Sequence, residues 1–252
     1  VYVQWHRRDH SGRNEKMRLV GDKLETDFVK GTETMIRLPG LLSFAPVSMV
    51  SNTPTIIVAH PSLQVNSLKE LIALAKAKPG TLNYSSGGNA GSTHLAVELF
   101  KSMAGINLVH IAYKGGGAAT TAFFGGEVQL TLMGAGSVAP FVKSGKLKAL
   151  AVTSAEPSPM APGIPTVAAA GVPGYEAISL FGLLVPDGTP QAIVSRLNRE
   201  TVRVMNQPDV RERYLAVGME VIAGSPEQFA ATIKSEVTKW EKVIKEAGIR
   251  ID

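Results

Sequence analysis

From Phe44 onward, short apolar runs alternate with longer stretches in which apolar residues return every three or four positions. Thr55-Ile-Ile-Val-Ala59 is β-branched and closed by Pro61, which predicts a buried strand. Ser67-Leu-Lys-Glu70 has the spacing of a capping box, and Leu68, Leu71, Ile72 and Ala75 form a helical stripe that stops at Pro79-Gly80. Leu82–Ser85 predicts a strand. Ser92 or Thr93 then caps a helix with Leu95, Leu99, Phe100 and Met103 turned inward and Gly105 at its end. The alternation repeats as strand Leu108–Tyr113, a helix to Phe124, strand Val128–Met133, a short helix opened by Ser137, and strand Leu147–Thr153. Beyond a proline-rich stretch from Pro157 to Pro173 come strand Ile178–Val185, a helix opened by Thr189-Pro190, a helix Pro208–Val217 and a long helix opened by Ser225-Pro-Glu-Gln228. Strands alternating with helices predict an α/β fold, with parallel sheets flanked by helices on both faces. Residues 1–43 carry no such period.

The length, 252 residues, fits one large α/β domain or two lobes of modest size. Apolar residues make up 44% and charged ones 19%, enough to bury a core and to exclude global disorder. A net charge of +5 would suit nucleic acid if it were concentrated. Residues 1–40 hold eight Lys/Arg against six Asp/Glu, and the rest 18 against 15, so there is no basic stripe and no nucleic acid partner is expected. The mild excess suits a small anion. The absence of cysteine excludes disulfides, thiolate-bound zinc and thiol nucleophiles. No run of 18 apolar residues predicts a membrane span. Val1–Asp9 lacks the apolar core of a signal peptide, so the expectation is a leader already removed or a true start upstream.

Candidate chemistry lies in three glycine-rich loops at strand-to-helix junctions: Ser85–Thr93 (Ser-Ser-Gly-Gly-Asn-Ala-Gly-Ser-Thr), Lys114-Gly-Gly-Gly117 and Gly134-Ala-Gly-Ser137. Such turns bare backbone N–H groups, and each following helix adds the positive end of its dipole. Converging, they would bind an anion without arginine; singly, they are tight turns. None is a P-loop, a dinucleotide loop or a nucleophile elbow. Catalytic sets are equally absent. His94 stands beside Ser92 and Thr93, but adjacent helical residues do not face each other. It reads as a hydrogen-bonded first-turn residue, with Glu98 one turn on to pair with it or with Lys101. His60 and His110 read as packing residues, and Asp187 as turn chemistry. His6 and His10 have the spacing of a helical ligand pair, without carboxylates to complete a metal site. No metal or cofactor is expected.

Several blocks occur in order: Phe44-Ala-Pro-Val-Ser48, Ser67 to Gly80, Asn83-Tyr84-Ser85 with Gly91-Ser92-Thr93-His94-Leu95, Tyr113-Lys114-Gly115, Gly125-Gly126-Glu127-Val128-Gln129, Leu150-Ala-Val-Thr-Ser154, Pro165-Thr166-Val167 and Phe181-Gly182-Leu183. In these blocks, from Phe44 to Asp252, the chain resembles solute receptors of the tripartite tricarboxylate transporter family, the Bordetella uptake gene or "Bug" receptors. The resemblance implies a two-lobed periplasmic-binding-protein fold (type II) with a hinge. Residues 1–54 and 179–252 would form the first lobe and 55–178 the second, with crossings near Ser51–Thr55 and Ser179–Leu183.

It further implies an exported, non-enzymatic, monomeric receptor that captures a small carboxylate in the cleft and hands it to membrane transporter subunits. A ligand-loaded sensor is the alternative, and an enzyme on the same fold is the less favoured one. The expected ligand contacts are Ser86, Gly87, Gly88, Asn89, Ser92 and Thr93 from the first loop, Tyr113, Gly115 and Gly116 around the second, Met133 and Gly134 at the third, and Phe181 near the second crossing. Two departures from the family pattern stand out. Nothing in residues 1–43 matches its Pro- and Gly-rich first-lobe loop, and Leu132-Met133-Gly134 replaces a polar or aromatic residue found in many relatives, predicting a less polar wall.

Overall fold

The computed structural model describes residues 44–249 and, as backbone alone, two short strands, β1 (Trp5–Arg8) and β2 (Asn14–Met17), paired antiparallel with His6 opposite Lys16. His6 therefore lies on a strand, not on the helix that the His6/His10 pair requires. The expectation of an unmatched first-lobe loop falls on residues outside the described ones.

The organising element is β3 (Phe44–Ala59), sixteen residues long, where the hydrophobic pattern predicted only Thr55–Ala59. Pro46 and Pro54 hide its first part, because a proline cannot donate to a ladder. The structure accommodates the irregularity with two register shifts, at Pro46/Ser48 and Met49/Ser51. The bulged residues' carbonyls find other donors: Asn198 Nδ2 donates to Val47 O (2.9 Å), and the N–H groups of Ile222 and Ala223 donate to Val50 O. Residues 44–54 pair antiparallel with β8 (Ile178–Pro186), and Ser51 and Asn52 also with β9 (Glu220–Val221). Residues 55–59 instead run between β6 (Leu130–Gly134) and β7 (Lys148–Val152), antiparallel to both.

Beyond β6 lie β4 (Asn83–Ser86) and β5 (Val109–Ala112), completing the order β5-β4-β6-β3-β7. β4 is parallel to β5 and β6. The sheet is thus parallel-rich, as expected, with β3 reversed against its neighbours β6 and β7. β3 buries both faces. Ile57 and Ala59 join a core with α1 (Leu68–Ala77) and α2 (Ser92–Ala104), whereas Ile56 and Val58 join a second core with α3 (Gly116–Phe124) and α4 (Ala135–Lys143). A run apolar at every position, not at alternate ones, is what a strand covered by helices on both sides needs.

After β8 come α5 (Gln191–Met205), α6 (Pro208–Ala216) and α7 (Pro226–Glu246). α7 opens at Ser225 as expected, and there Ser225 and Gln228 form a full capping box. Its Phe229 ring packs so close to β8 that a Cβ on Gly182 would overlap it, and its Trp240 reaches the first core. Other caps differ in part from expectation. Ser67 caps α1 as expected by accepting Glu70 N–H, but the Glu70 carboxylate accepts from Asn66 N–H and not from Ser67. Gly91 stands at the start of α2 with no side-chain cap, Gly134 opens α4 ahead of Ser137, and Pro190 opens α5 while the Thr189 hydroxyl turns back to Pro186 O.

Candidate functional site

Because β4, β5 and β6 are parallel, their carboxyl ends share one edge, and each leads directly into a helix: α2, α3 and α4. At that edge lies a pocket of about 180 Å³. Ser86, Gly87 and Thr93 line it from the first loop and the first turn of α2. Gly116, Ala119 and Thr120 come from α3, and Thr131, Leu132, Met133, Gly134 and Ser137 from β6 and the start of α4. All three helices therefore contribute first-turn residues to one cavity. In α2 the first internal bond is Leu95 N–H to Gly91 O, and in α3 it is Ala119 N–H to Gly115 O. The amides before each lie at the helix's positive end, without an intrahelical acceptor. No lysine or arginine lines the pocket.

The loops touch each other through backbone. Gly115 N–H donates to Gly87 O (3.0 Å), and a Cβ on Gly87 would meet Gly116 N at 2.9 Å. Only glycine fits there. Gly115 (φ +98) and Gly88 (φ +143) occupy backbone that side chains disfavour.

The hydroxyls are not equivalent as donors. Ser137 donates to Gly134 O (2.8 Å), Ser85 Oγ lies 2.9 Å from Thr131 Oγ1, and Ser86 Oγ is shared between His110 Nε2 and Gly88. Thr93 and Thr120 have no hydrogen-bond partner among the described residues. Theirs are the side-chain O–H groups left to meet a ligand.

Six of the twelve sequence-expected contacts line this pocket: Ser86, Gly87, Thr93, Gly116, Met133 and Gly134. The other six lie outside its lining. Gly88, Asn89 and Gly115 shape the loops, and exposed Ser92 neither lines the cavity nor caps α2. Tyr113 donates to Glu127 (3.1 Å). Phe181 sits 44% exposed on β8 opposite Ser51. Five lining residues were not among the expected contacts: Ala119, Thr120, Thr131, Leu132 and Ser137. Thr120 was within reach, since it lies one helical turn beyond the second glycine loop.

Beneath the first loop is a polar cluster. His94, 6% exposed, accepts Ala90 N–H at Nδ1 (3.0 Å), and its Nε2 lies 3.8 Å from Glu98. Both ring nitrogens are thus engaged away from Ser92 and Thr93, against any nucleophile–base reading. The ring stacks on His110 with centroids 3.8 Å apart. His110 was expected only to pack, yet its Nε2 lies 2.6 Å from Ser86 Oγ. Tyr84 and Lys101 both donate to Glu98 at 2.6 Å. Burial, then Glu98, raises the Tyr84 hydroxyl far above its ordinary value. Burial lowers His94, with Glu98 opposing, and burial plus neighbouring His94 lowers His110 to about 4. Both imidazoles are therefore neutral at pH 7. Among the described residues no group of three His, Asp or Glu is placed to hold a metal.

The family model "Tripartite tricarboxylate transporter family receptor" matches residues 33–249. The chain belongs to this receptor family. The match begins ahead of Phe44, where the sequence resemblance starts. Protein BugT of Bordetella pertussis is 33% identical over 211 residues, 84% of this chain and 65% of its own length. A protein from the tcbD-tcbE intergenic region of Pseudomonas sp. (strain P51) is 33% identical over 81% of this chain and 61% of its own. The chain thus spans just under two thirds of these curated relatives. Among solved structures, R. palustris Rpa4515 with adipate superposes with a TM-score of 0.73 at 32% identity, covering 91% of this chain and 74% of that one. The periplasmic binding protein BugD gives 0.69 at 30% identity over 82% and 70%, and MatC from Rhodopseudomonas palustris with bound malate 0.67 at 27% identity over 80% and 69%. The fold is that of these periplasmic binding proteins. No helix among the described residues is long and apolar enough to cross a membrane.

Proposed function

We propose that this receptor captures a small carboxylate, of the di- or tricarboxylate class, in the periplasm and delivers it unchanged to a tripartite membrane transporter. The observation that carries the reading is the convergence of three helix starts on one pocket free of charged side chains, with the Thr93 and Thr120 hydroxyls unspent. A carboxylate there gains several charge-assisted hydrogen bonds, each worth about 1.5–3 kcal/mol, without a counter-ion to desolvate. The adipate and malate held by two structural relatives are of the same class. Leu132 and Met133 would contact the ligand's methylene chain.

We further propose that residues 1–54 and 179–252 form one lobe and 55–178 the other. The exchange of β3's partners between Pro54 and Thr55 supports that division. Every residue lining the pocket belongs to 55–178, so closure requires the first lobe to add contacts across the cleft. Native mass spectrometry of the purified protein should reveal a bound small acid, and calorimetry with adipate, malate and citrate should rank the class. Turnover of the bound acid, or binding confined to uncharged solutes, would overturn the reading.

A further inference from the structure

The first loop has a support that binding alone does not require. Ala90 sits in the left-handed region (φ 54), uncommon for a residue with a side chain, so something must hold it. Its N–H is held by His94 Nδ1. A backbone N–H can only donate, so Nδ1 must be bare and the proton of the neutral ring sits on Nε2, toward Glu98. A second proton would have to enter at Nδ1, where it displaces Ala90. At the other end of the loop Ser86 Oγ and His110 Nε2 share a hydrogen bond (2.6 Å), and the two rings stack at 3.8 Å, too close for two cations.

Resting on the carboxylate reading, we infer that His94 and His110 are positioning residues. As a neutral stacked pair they clamp the loop between Ser86 and Ala90, and protonation opens the clamp and weakens anion binding. The charged and titratable groups facing the pair are Glu98 and Lys101 on α2 and Tyr84 on β4. Glu98, already engaged by Tyr84 and Lys101, favours protonation, whereas Lys101 and burial oppose it. The sign is the opposite of simple electrostatics: a cationic imidazole near an anion would tighten binding as pH falls, while a broken clamp loosens it.

Amide exchange by NMR on the whole chain tests the clamp without ligand. Ala90 N–H should lose at least tenfold in protection factor between pH 7 and pH 4.5, while Phe100 in the same helix keeps its own. His94→Asn places a carbonyl oxygen close to where Nδ1 stands and cannot titrate, so it should keep protection at both pH values. His94→Leu should lose it already at pH 7. With adipate and malate as probes, affinity should fall between pH 7 and 5 several-fold more in the wild type than in His94→Asn, where only the acids' own protonation weakens binding. Unchanged Ala90 protection in His94→Leu, or tighter binding of either probe by the wild type in acid, overturns the clamp. Failure of every carboxylate to bind while Ala90 follows the stated pattern overturns the carboxylate reading and leaves the clamp standing.

Discussion

Gly87→Ala tests whether the glycine loops are built for their mutual fit. The new methyl would lie 2.9 Å from Gly116 N and 3.2 Å from Gly115 C, both backbone atoms of the neighbouring loop that cannot rotate away. The start of α3 must retreat by some tenths of an ångström, straining the Gly115 N–H to Gly87 O bond. Overpacking of this kind costs about 1–3 kcal/mol. For a chain of this size that lowers Tm by roughly 2–12 °C. The same retreat misaligns the α3 amides. Losing one charge-assisted hydrogen bond, worth about 1.5–3 kcal/mol, raises Kd on the order of ten- to a hundredfold. Gly116→Ala is the control, since no heavy atom lies within 4 Å of its Cβ. Alanine in place of glycine at a helix start gains up to about 1 kcal/mol, so Tm should hold or rise. Scanning calorimetry gives Tm, and titration with the co-purified acid gives Kd. Wild-type stability and affinity in Gly87→Ala, or equal losses of stability in both variants, would refute the reasoning.

Thr93→Val and Thr120→Val should each weaken carboxylate binding by roughly tenfold at unchanged Tm. Ser92→Ala and Ser137→Ala should leave the same titration nearly unaltered, because Ser92 does not line the pocket and Ser137 donates elsewhere. Gly182→Ala drives a methyl into the Phe229 ring and should cost about 1–3 kcal/mol in urea unfolding, unless Phe229→Leu in the same chain restores it. Stability should also depend on acid. His110 titrates near 4 when folded and near 6.5 when unfolded, so below pH 6.5 the unfolded chain binds more protons. Unfolding free energy should therefore be flat above pH 7 and fall between pH 6.5 and 4. Replacing His110 with Gln should shallow that fall; an identical slope would exclude His110 as its source.

The parts of the fold that follow local rules were legible in the sequence. The α7 capping box, the Gly105 terminator of α2 and the apolar run at Ile56–Ala59 each state their conformation within a few residues. The first half of β3 does not. Its prolines argue against a strand, and Asn198, Gly224, β8 and β9, all more than a hundred positions away, supply the partners that make it one. The site divides the same way. Glycines at strand ends marked Gly87, Gly116 and Gly134, but which hydroxyls remain free depends on tertiary partners. Ser92 and Thr93 are adjacent and chemically similar, yet only the second lines the cavity.

The two-sided pairing of β3 also dictates an order of assembly. Ile56–Ala59 find β6 and β7 by residue 152, so that half of the strand can condense on a chain synthesised only that far. Phe44–Pro54 must wait for Ile178–Pro186 and then for Val221, and until they arrive it is an open edge with unspent N–H and C=O groups. Pairings of such long sequence separation form slowly. The growing chain therefore passes through a window in which one end of a continuous strand is native and the other is exposed to aggregation, and the two prolines in that exposed half, poor partners for any foreign strand, fall where such protection is needed.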